Sequence, residues 1–111
     1  MHAFEVLGDP VRRRIVELLA EGERTAGEVV REVGQEFGIT QPAVSRHLRI
    51  LRESGFAQVR AEGARRLYAL DGTGLDEAEA ALQRYRRFWS QRLDALDTEV
   101  ARGRRARKET S

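Results

Sequence analysis

The segment from Leu75 to Arg102 contains neither proline nor glycine, and its apolar residues recur every three or four positions. This spacing predicts one continuous amphipathic α-helix. The recurring residues are Leu75, Ala78, Leu82, Tyr85, Trp89, Leu93, Leu96 and Val100. Such a helix extends about 40 Å at about 1.5 Å per residue, which is more than one small core can cover. Its apolar stripe therefore needs a partner surface.

A second copy of the chain can supply this surface, in which case the protein is a homodimer. The predicted dimer contacts are Phe4, Leu82, Tyr85, Trp89, Leu93 and Leu96. The stripe can pack against its own copy or against the residues around Phe4 of the other subunit, and the sequence leaves both geometries open. Tyr85, Phe88 and Trp89 would also suit a small-molecule pocket, but aromatic residues on a long helix more often form dimer core. A small-molecule effector therefore stays open and unidentified.

Three helix starts precede the long segment, and each has a residue that can accept hydrogen bonds from the first backbone N–H groups. Asp9 stands before the first helix, and Thr40 stands before the third. Thr25 stands before the second and is followed three residues later by Glu28, which completes a capping box. The sequence thus predicts three helices, over about residues 10–20, 26–38 and 41–53.

Two strand-like segments follow, Phe56 to Ala61 and Arg65 to Leu70, and Glu62-Gly63-Ala64 joins them as a hairpin turn. The interval from residue 40 to residue 70 carries six arginines against two glutamates, so positive charge is concentrated there. A local excess of this kind attracts and orients a polyanion. The chain as a whole is predicted to be mostly α-helical with a small β-hairpin.

The third helix is predicted to have an apolar face, formed by Val44, Leu48 and Leu51, and an opposite polar face. A helix that is anchored on one side and polar on the other can enter the major groove of DNA, which is about 12 Å wide. Glutamine can pair with adenine, and arginine with guanine. The predicted DNA-binding residues are Thr40, Gln41, Ser45, Arg46, His47 and Arg49 on the helix, and Arg60, Arg65 and Arg66 on the hairpin.

Several other classes of function lack the residues they need. The chain has no cysteine, and its only histidines are His2 and His47, so neither a metal site nor a cofactor is predicted. His47 is expected to be structural or to contact phosphate. No glycine-rich phosphate loop and no paired carboxylates in an apolar setting are present, which makes an enzyme the least expected class. No transmembrane run or signal-like N-terminus is found, so a cytoplasmic location is predicted.

Three stretches resemble the helix-turn-helix of ArsR-type (ArsR/SmtB) transcriptional regulators. They are Thr25-Ala26-Gly27-Glu28-Val29, Phe37-Gly38-Ile39-Thr40 with the helix that follows, and Leu51-Arg52-Glu53-Ser54-Gly55-Phe56. The resemblance covers roughly residues 4–100. It implies a winged helix-turn-helix with a long C-terminal dimerisation helix, and a homodimer that binds an operator and represses transcription. The chain lacks the cysteine or paired Asp and His ligands of the family's metal sensors, so it resembles the cysteine-free members.

The expected function is therefore that of a sequence-specific DNA-binding regulator, a homodimeric repressor that binds an inverted-repeat operator. Two alternatives stay open: a protein-interaction module built on the same fold, and an RNA-binding winged helix. Residues 1–102 are predicted to form the DNA-binding and dimerisation domain. Residues 103–111 are predicted to form a basic, disordered tail.

Overall fold

The computed structural model describes the backbone of residues 1–110 and the side chains of residues 1–103. Its elements are α1 (Ala3–Leu7), α2 (Pro10–Glu21), β1 (Arg24–Thr25), α3 (Ala26–Phe37), α4 (Gln41–Glu53), β2 (Ala57–Glu62), β3 (Arg65–Leu70) and α5 (Gly72–Thr110). Two compact units are distinguished, Met1–Ala78 and the remainder of α5 from Glu79 onward. The predicted class, mostly helical with a small antiparallel sheet and a long last helix, is confirmed.

The three predicted helix caps are confirmed. The Asp9 carboxylate accepts hydrogen bonds from the backbone N–H groups of Val11, at 2.8 Å, and Arg12, at 3.2 Å. The Thr25 hydroxyl accepts from the N–H of Glu28 at 3.1 Å, and the Thr40 hydroxyl accepts from the N–H of Ala43 at 3.3 Å. These side chains satisfy donors that a helix N-terminus leaves without internal partners.

The first unit has one apolar core to which α1 to α4, the strands and the first turns of α5 contribute. Ile15 of α2, Val33 of α3 and Leu48 of α4 are at most 2% exposed, and Phe56 before β2 is fully buried. Burying each such side chain stabilises the fold by about 1.5–3 kcal/mol. The core also receives the start of α5, because a Cβ atom at Gly74 would lie 2.5 Å from the Phe56 ring. Only glycine allows this approach.

The strands form one antiparallel sheet in the order β1-β3-β2. Tyr68 of β3 is paired with Arg24 of β1 on one side and with Val59 of β2 on the other. Gly63 closes the β2–β3 turn with a φ of 62°, a conformation that glycine adopts without strain. The sheet is therefore the predicted hairpin plus a short third strand.

Three features differ from the sequence prediction. The short elements α1 and β1 were not predicted, because five and two residues are too few to show a period. The last helix continues to Thr110, where the sequence predicts a disordered tail from residue 103. A single glycine, Gly103, costs a helix only about 1 kcal/mol, and good helix formers surround it.

The second unit, from Glu79 onward, is helical through Thr110 and carries the predicted apolar stripe. The large apolar side chains of this unit are between 41% and 68% exposed; they are Leu82, Tyr85, Phe88, Trp89, Leu93, Leu96 and Val100. A contiguous exposed patch of this kind is typical of an interaction surface. Among the described residues, no helix has both the length and the apolar character needed to cross a membrane.

Candidate nucleic-acid interface

The helix-turn-helix consists of α3, the turn Gly38-Ile39-Thr40 and α4. Gly38 adopts a left-handed conformation, with a φ of 64°, and ends α3. The Ile39 N–H then donates to the carbonyl oxygen of Gly34 at 3.2 Å, which holds the turn against the end of α3. This sharp turn lets α4 begin at Gln41, directly after its Thr40 cap.

The predicted division of α4 into two faces is confirmed. Val44, Leu48 and Leu51 are buried. The exposed residues include Gln41, Ser45, Arg46, Arg49 and Arg52. Arg52 was not among the predicted contacts, although the sequence held the signal: it lies three residues after Arg49 and seven after Ser45, on the same side of a helix.

The sheet register separates the three predicted arginines of the wing, by which we mean the β2–β3 hairpin. Arg66 lies opposite Ala61 and two residues before the buried Tyr68, so it shares the Tyr68 side of the sheet. Arg60 and Arg65 belong to the other side, because side chains alternate along a strand. On the Tyr68 side, a cleft of about 280 Å³ is lined by Ala26, Ser45, Leu48, Arg49, Arg52, Arg66 and Tyr68. Arg66 therefore faces the same cleft as the polar side of α4.

The arginines on the other side of the wing are paired with carboxylates. Arg60 donates to both carboxylate oxygens of Glu23, at 2.8 and 3.3 Å, and to Glu62 at 3.3 Å. The hydrogen bond from Arg60 holds the pKa of Glu23 below its usual value. Arg65 lies 3.7 Å from a Glu62 oxygen. Part of the positive charge that the sequence assigns to the wing is thus already compensated within the chain.

The arginines on the exposed side of α4, and Arg66 of the wing, differ from Arg60 and Arg65. None of the ion pairs and side-chain hydrogen bonds found among the described residues involves Arg46, Arg49, Arg52 or Arg66. A guanidinium has five N–H donors and no acceptor, and its geometry suits phosphate or the edge of guanine. The face formed by α4 and the Tyr68 side of the wing therefore presents uncompensated donors to a polyanion.

His47 and Thr40 take part in internal hydrogen bonds. His47 is half-buried on α4, and its Nδ1 lies 3.3 Å from the Arg12 guanidinium of α2. Burial lowers the pKa of His47 below its usual value of 6.5. Thr40 is exposed but uses its hydroxyl for the cap of α4. In the described residues, no three His, Asp or Glu side chains are grouped closely enough to hold a metal ion.

A helix-turn-helix whose second helix is basic and exposed, with a basic hairpin beside it, defines a winged helix-turn-helix DNA-binding protein. The family model of the bacterial regulatory proteins of the arsR family matches residues 9–59, from the α2 cap into β2. The HTH-type transcriptional regulator Rv2034 of Mycobacterium tuberculosis is 40% identical over 91 residues, which are 82% of this chain and 78% of the relative. The chain belongs to the ArsR family, as the resemblance of its motifs indicated.

Two further comparisons agree with this assignment. The transcriptional repressor SdpR of Bacillus subtilis is 32% identical over 77 residues, which are 69% of this chain and 81% of that protein. The solution structure of the homodimeric winged helix-turn-helix DNA-binding domain of Mb0332 from Mycobacterium bovis superposes with a TM-score of 0.57 and 26% identity. That match covers 77% of this chain and 75% of the other. The chain is a DNA-binding transcriptional regulator and not an enzyme.

Proposed function

We propose that this protein is a homodimeric repressor that acts in the cytoplasm on an inverted-repeat operator. In this proposal α4 reads base edges in the major groove, and the Tyr68 side of the wing binds the adjacent backbone. The observation that carries the proposal is the uneven pairing of arginines. Those on α4 and around the cleft have no carboxylate partner among the described residues, whereas Arg60 and Arg65 on the far side of the wing do.

The placement of the α4 side chains supports a division between base contacts and backbone contacts. Gln41, Ser45, Arg46 and Arg49 are exposed along the first three turns, the part of a recognition helix that enters the groove. We assign the base contacts to these four residues. The Thr40 hydroxyl already accepts from the Ala43 N–H, and Pro42 has no N–H, so we expect the backbone N–H of Gln41 to contact phosphate instead.

Backbone binding is assigned mainly to Arg52 and Arg66, which line the cleft between α4 and the wing. Arg60 and Arg65 were also predicted to contact DNA. Each would first have to give up an ion pair with Glu23 or Glu62, which reduces the net gain from a phosphate contact. We therefore expect Arg66 to contribute more to affinity than Arg60.

The dimer is assigned to the exposed stripe of α5. Leu82, Trp89, Leu93 and Leu96 are 41–61% exposed and repeat at helical spacing, so pairing with a second copy would remove this apolar surface from water. The related Mb0332 domain is described as homodimeric, and SdpR is named a repressor. A two-fold dimer would place its recognition helices about one DNA turn, about 34 Å, apart.

The proposal is tested by selecting bound duplexes from a random DNA pool at two salt concentrations, with a random RNA pool run beside it. The expected result is an enriched inverted repeat whose binding weakens steeply with salt. Enrichment of RNA alone would favour the RNA-binding alternative. Enrichment of neither would favour a protein-interaction module, and either result would refute the repressor.

A further inference from the structure

The guanidinium of Arg12 in α2 joins three helices of the first unit. Its side chain is only 12% exposed. Nε donates to the carbonyl oxygen of Val6 at 2.8 Å, and Nη2 donates to that of Glu5 at 3.1 Å. These oxygens lie at the end of α1, whose last carbonyl groups lack α-helical donors, and the Glu5 oxygen also accepts from the Gly8 N–H at 3.3 Å. Arg12 therefore caps a helix of five residues that is too short to persist alone.

The same guanidinium reaches the recognition helix. Nη1 lies 3.3 Å from Nδ1 of His47, and the Asp9 carboxylate lies 3.9 Å from Nη1. Arginine is a donor only, so Nδ1 of His47 must be the acceptor, and the neutral ring carries its proton on Nε2. The Asp9 carboxylate also accepts from the backbone N–H of Arg12 at 3.2 Å, so both ends of the residue are held at the α2 cap.

The surroundings of His47 favour this neutral state. Burial lowers the pKa of the ring, Asp9 acts in the opposite direction, and the positive charges of Arg12 and Arg46 lower it further. The contacts of Val44 and Leu48 with the core are apolar and carry no directional preference, whereas a hydrogen bond does. The link from Arg12 to His47 can therefore restrict the rotation of α4 about its own axis.

We propose that Arg12 is a positioning residue for the recognition helix. Through its hydrogen bond with His47, it links the position of α1 to the orientation of α4. This inference rests on the proposed DNA-binding function. It requires that operator affinity depend on a side chain that is largely buried and engaged with α1. A change in how α1 is held would then reach the base-reading face of α4 through one hydrogen bond.

The chain offers a matched control in Arg13. Its Nη1 donates to the carbonyl oxygen of Leu7 at 2.7 Å, so it also caps α1, but no hydrogen bond joins it to α4. Arg12→Met and Arg13→Met each remove one positive charge and hydrogen bonds to the end of α1, two in Arg12→Met and one in Arg13→Met. Operator affinity measured by fluorescence anisotropy should fall about five- to tenfold in Arg12→Met, as expected for one lost hydrogen bond that matters for binding. It should change less than about twofold in Arg13→Met.

A double-mutant cycle tests whether Arg12 affects operator affinity through His47. His47→Ala should weaken binding, and adding Arg12→Met should weaken it little further, because both changes break the same link. His47→Ala with Arg13→Met should show the product of the two single effects. If the Arg12 and His47 effects multiply instead, or if Arg12→Met equals Arg13→Met, the inference is wrong. A wild-type protein that selects no operator would refute the proposed function itself.

A pH series on the wild-type protein does not depend on how the Arg12 variant folds. Because burial holds the His47 pKa in the folded state below 6.5, the ring is mostly neutral at pH 7 and takes up a proton at lower pH. The protonated ring cannot accept from Arg12, so operator affinity should fall as the pH is lowered from 7 at constant ionic strength. His47→Asn keeps an acceptor and does not titrate, so it should abolish the fall. Affinity that rises on acidification would assign His47 to a phosphate contact and overturn the proposal.

Discussion

The pairing of the wing arginines predicts that Arg66→Gln and Arg60→Gln change the salt dependence of operator affinity by different amounts. Both variants lose one charge from the hairpin, but only Arg66 lines the cleft beside α4, while Arg60 is held by Glu23 at 2.8 Å. Each phosphate contact contributes about 0.9 to the slope of log affinity against log salt. A dimer loses two such contacts, so the magnitude of this negative slope should decrease by about 1.8 in Arg66→Gln.

This change in slope determines how the effect of the substitution on operator affinity varies with salt concentration. Between about 50 and 200 mM salt, a slope difference of about 1.8 corresponds to a factor of about 12. The affinity ratio of wild type to Arg66→Gln should therefore shrink about 12-fold over that range, while Arg60→Gln keeps a slope close to that of wild type. Fluorescence anisotropy on the selected operator, titrated at four or five salt concentrations, measures both slopes. Equal slopes for the two variants would refute the assignment of the wing contact to Arg66.

Three further predictions concern specificity, assembly and stability. Replacing Arg46 and Arg49 together with alanine should remove specific operator binding, at about 1–3 kcal/mol for each base contact, without changing the sedimentation of the dimer. Leu93→Asp should dissociate the dimer, because a carboxylate in an apolar interface is left unpaired, and analytical ultracentrifugation would show a monomer. Asp9→Ala should lower the free energy of unfolding by about 1 kcal/mol through loss of the α2 cap, measured by chemical denaturation.

Each of these predictions has its own control and contradiction. Unchanged operator affinity in the double arginine variant would move the recognition face away from α4. A Leu93→Asp protein that still sediments as a dimer would place the interface elsewhere. Asp9→Asn keeps an oxygen for the Val11 N–H, so it should retain more stability than Asp9→Ala. Equal stability of the two Asp9 variants would show that the cap contributes little.

Much of the fold was predictable because its signals are local. The caps at Asp9, Thr25 and Thr40 act on N–H groups two or three residues away, so the chain alone shows where three helices begin. The apolar faces of α2 to α4 repeat at the helical period, and the order of helix, turn, polar helix and hairpin indicated the fold. The polar face of α4 follows from the same period, which is why most of the proposed contacts on that helix could be named.

The candidate site was less predictable wherever the role of a side chain depends on a residue that is distant in the sequence. The contact between Arg60 and Glu23 spans 37 positions, and that between Arg12 and His47 spans 35, so neither leaves a periodic signal. From the sequence, Arg60 and Arg66 looked equivalent, and no local pattern distinguished Arg12.

The sequence by itself therefore determined the helix-turn-helix, the polar face of α4 and the apolar stripe of α5, because short-range hydrogen bonds and helical periodicity specify them. Only the tertiary structure decided which positive charges remain uncompensated. The β2–β3 register places Arg66 on the Tyr68 side of the sheet and Arg60 on the other, and packing of α2 against α1 and α4 buries Arg12. Charge compensation depends on which side chains meet in space, and that is a property of the assembled fold.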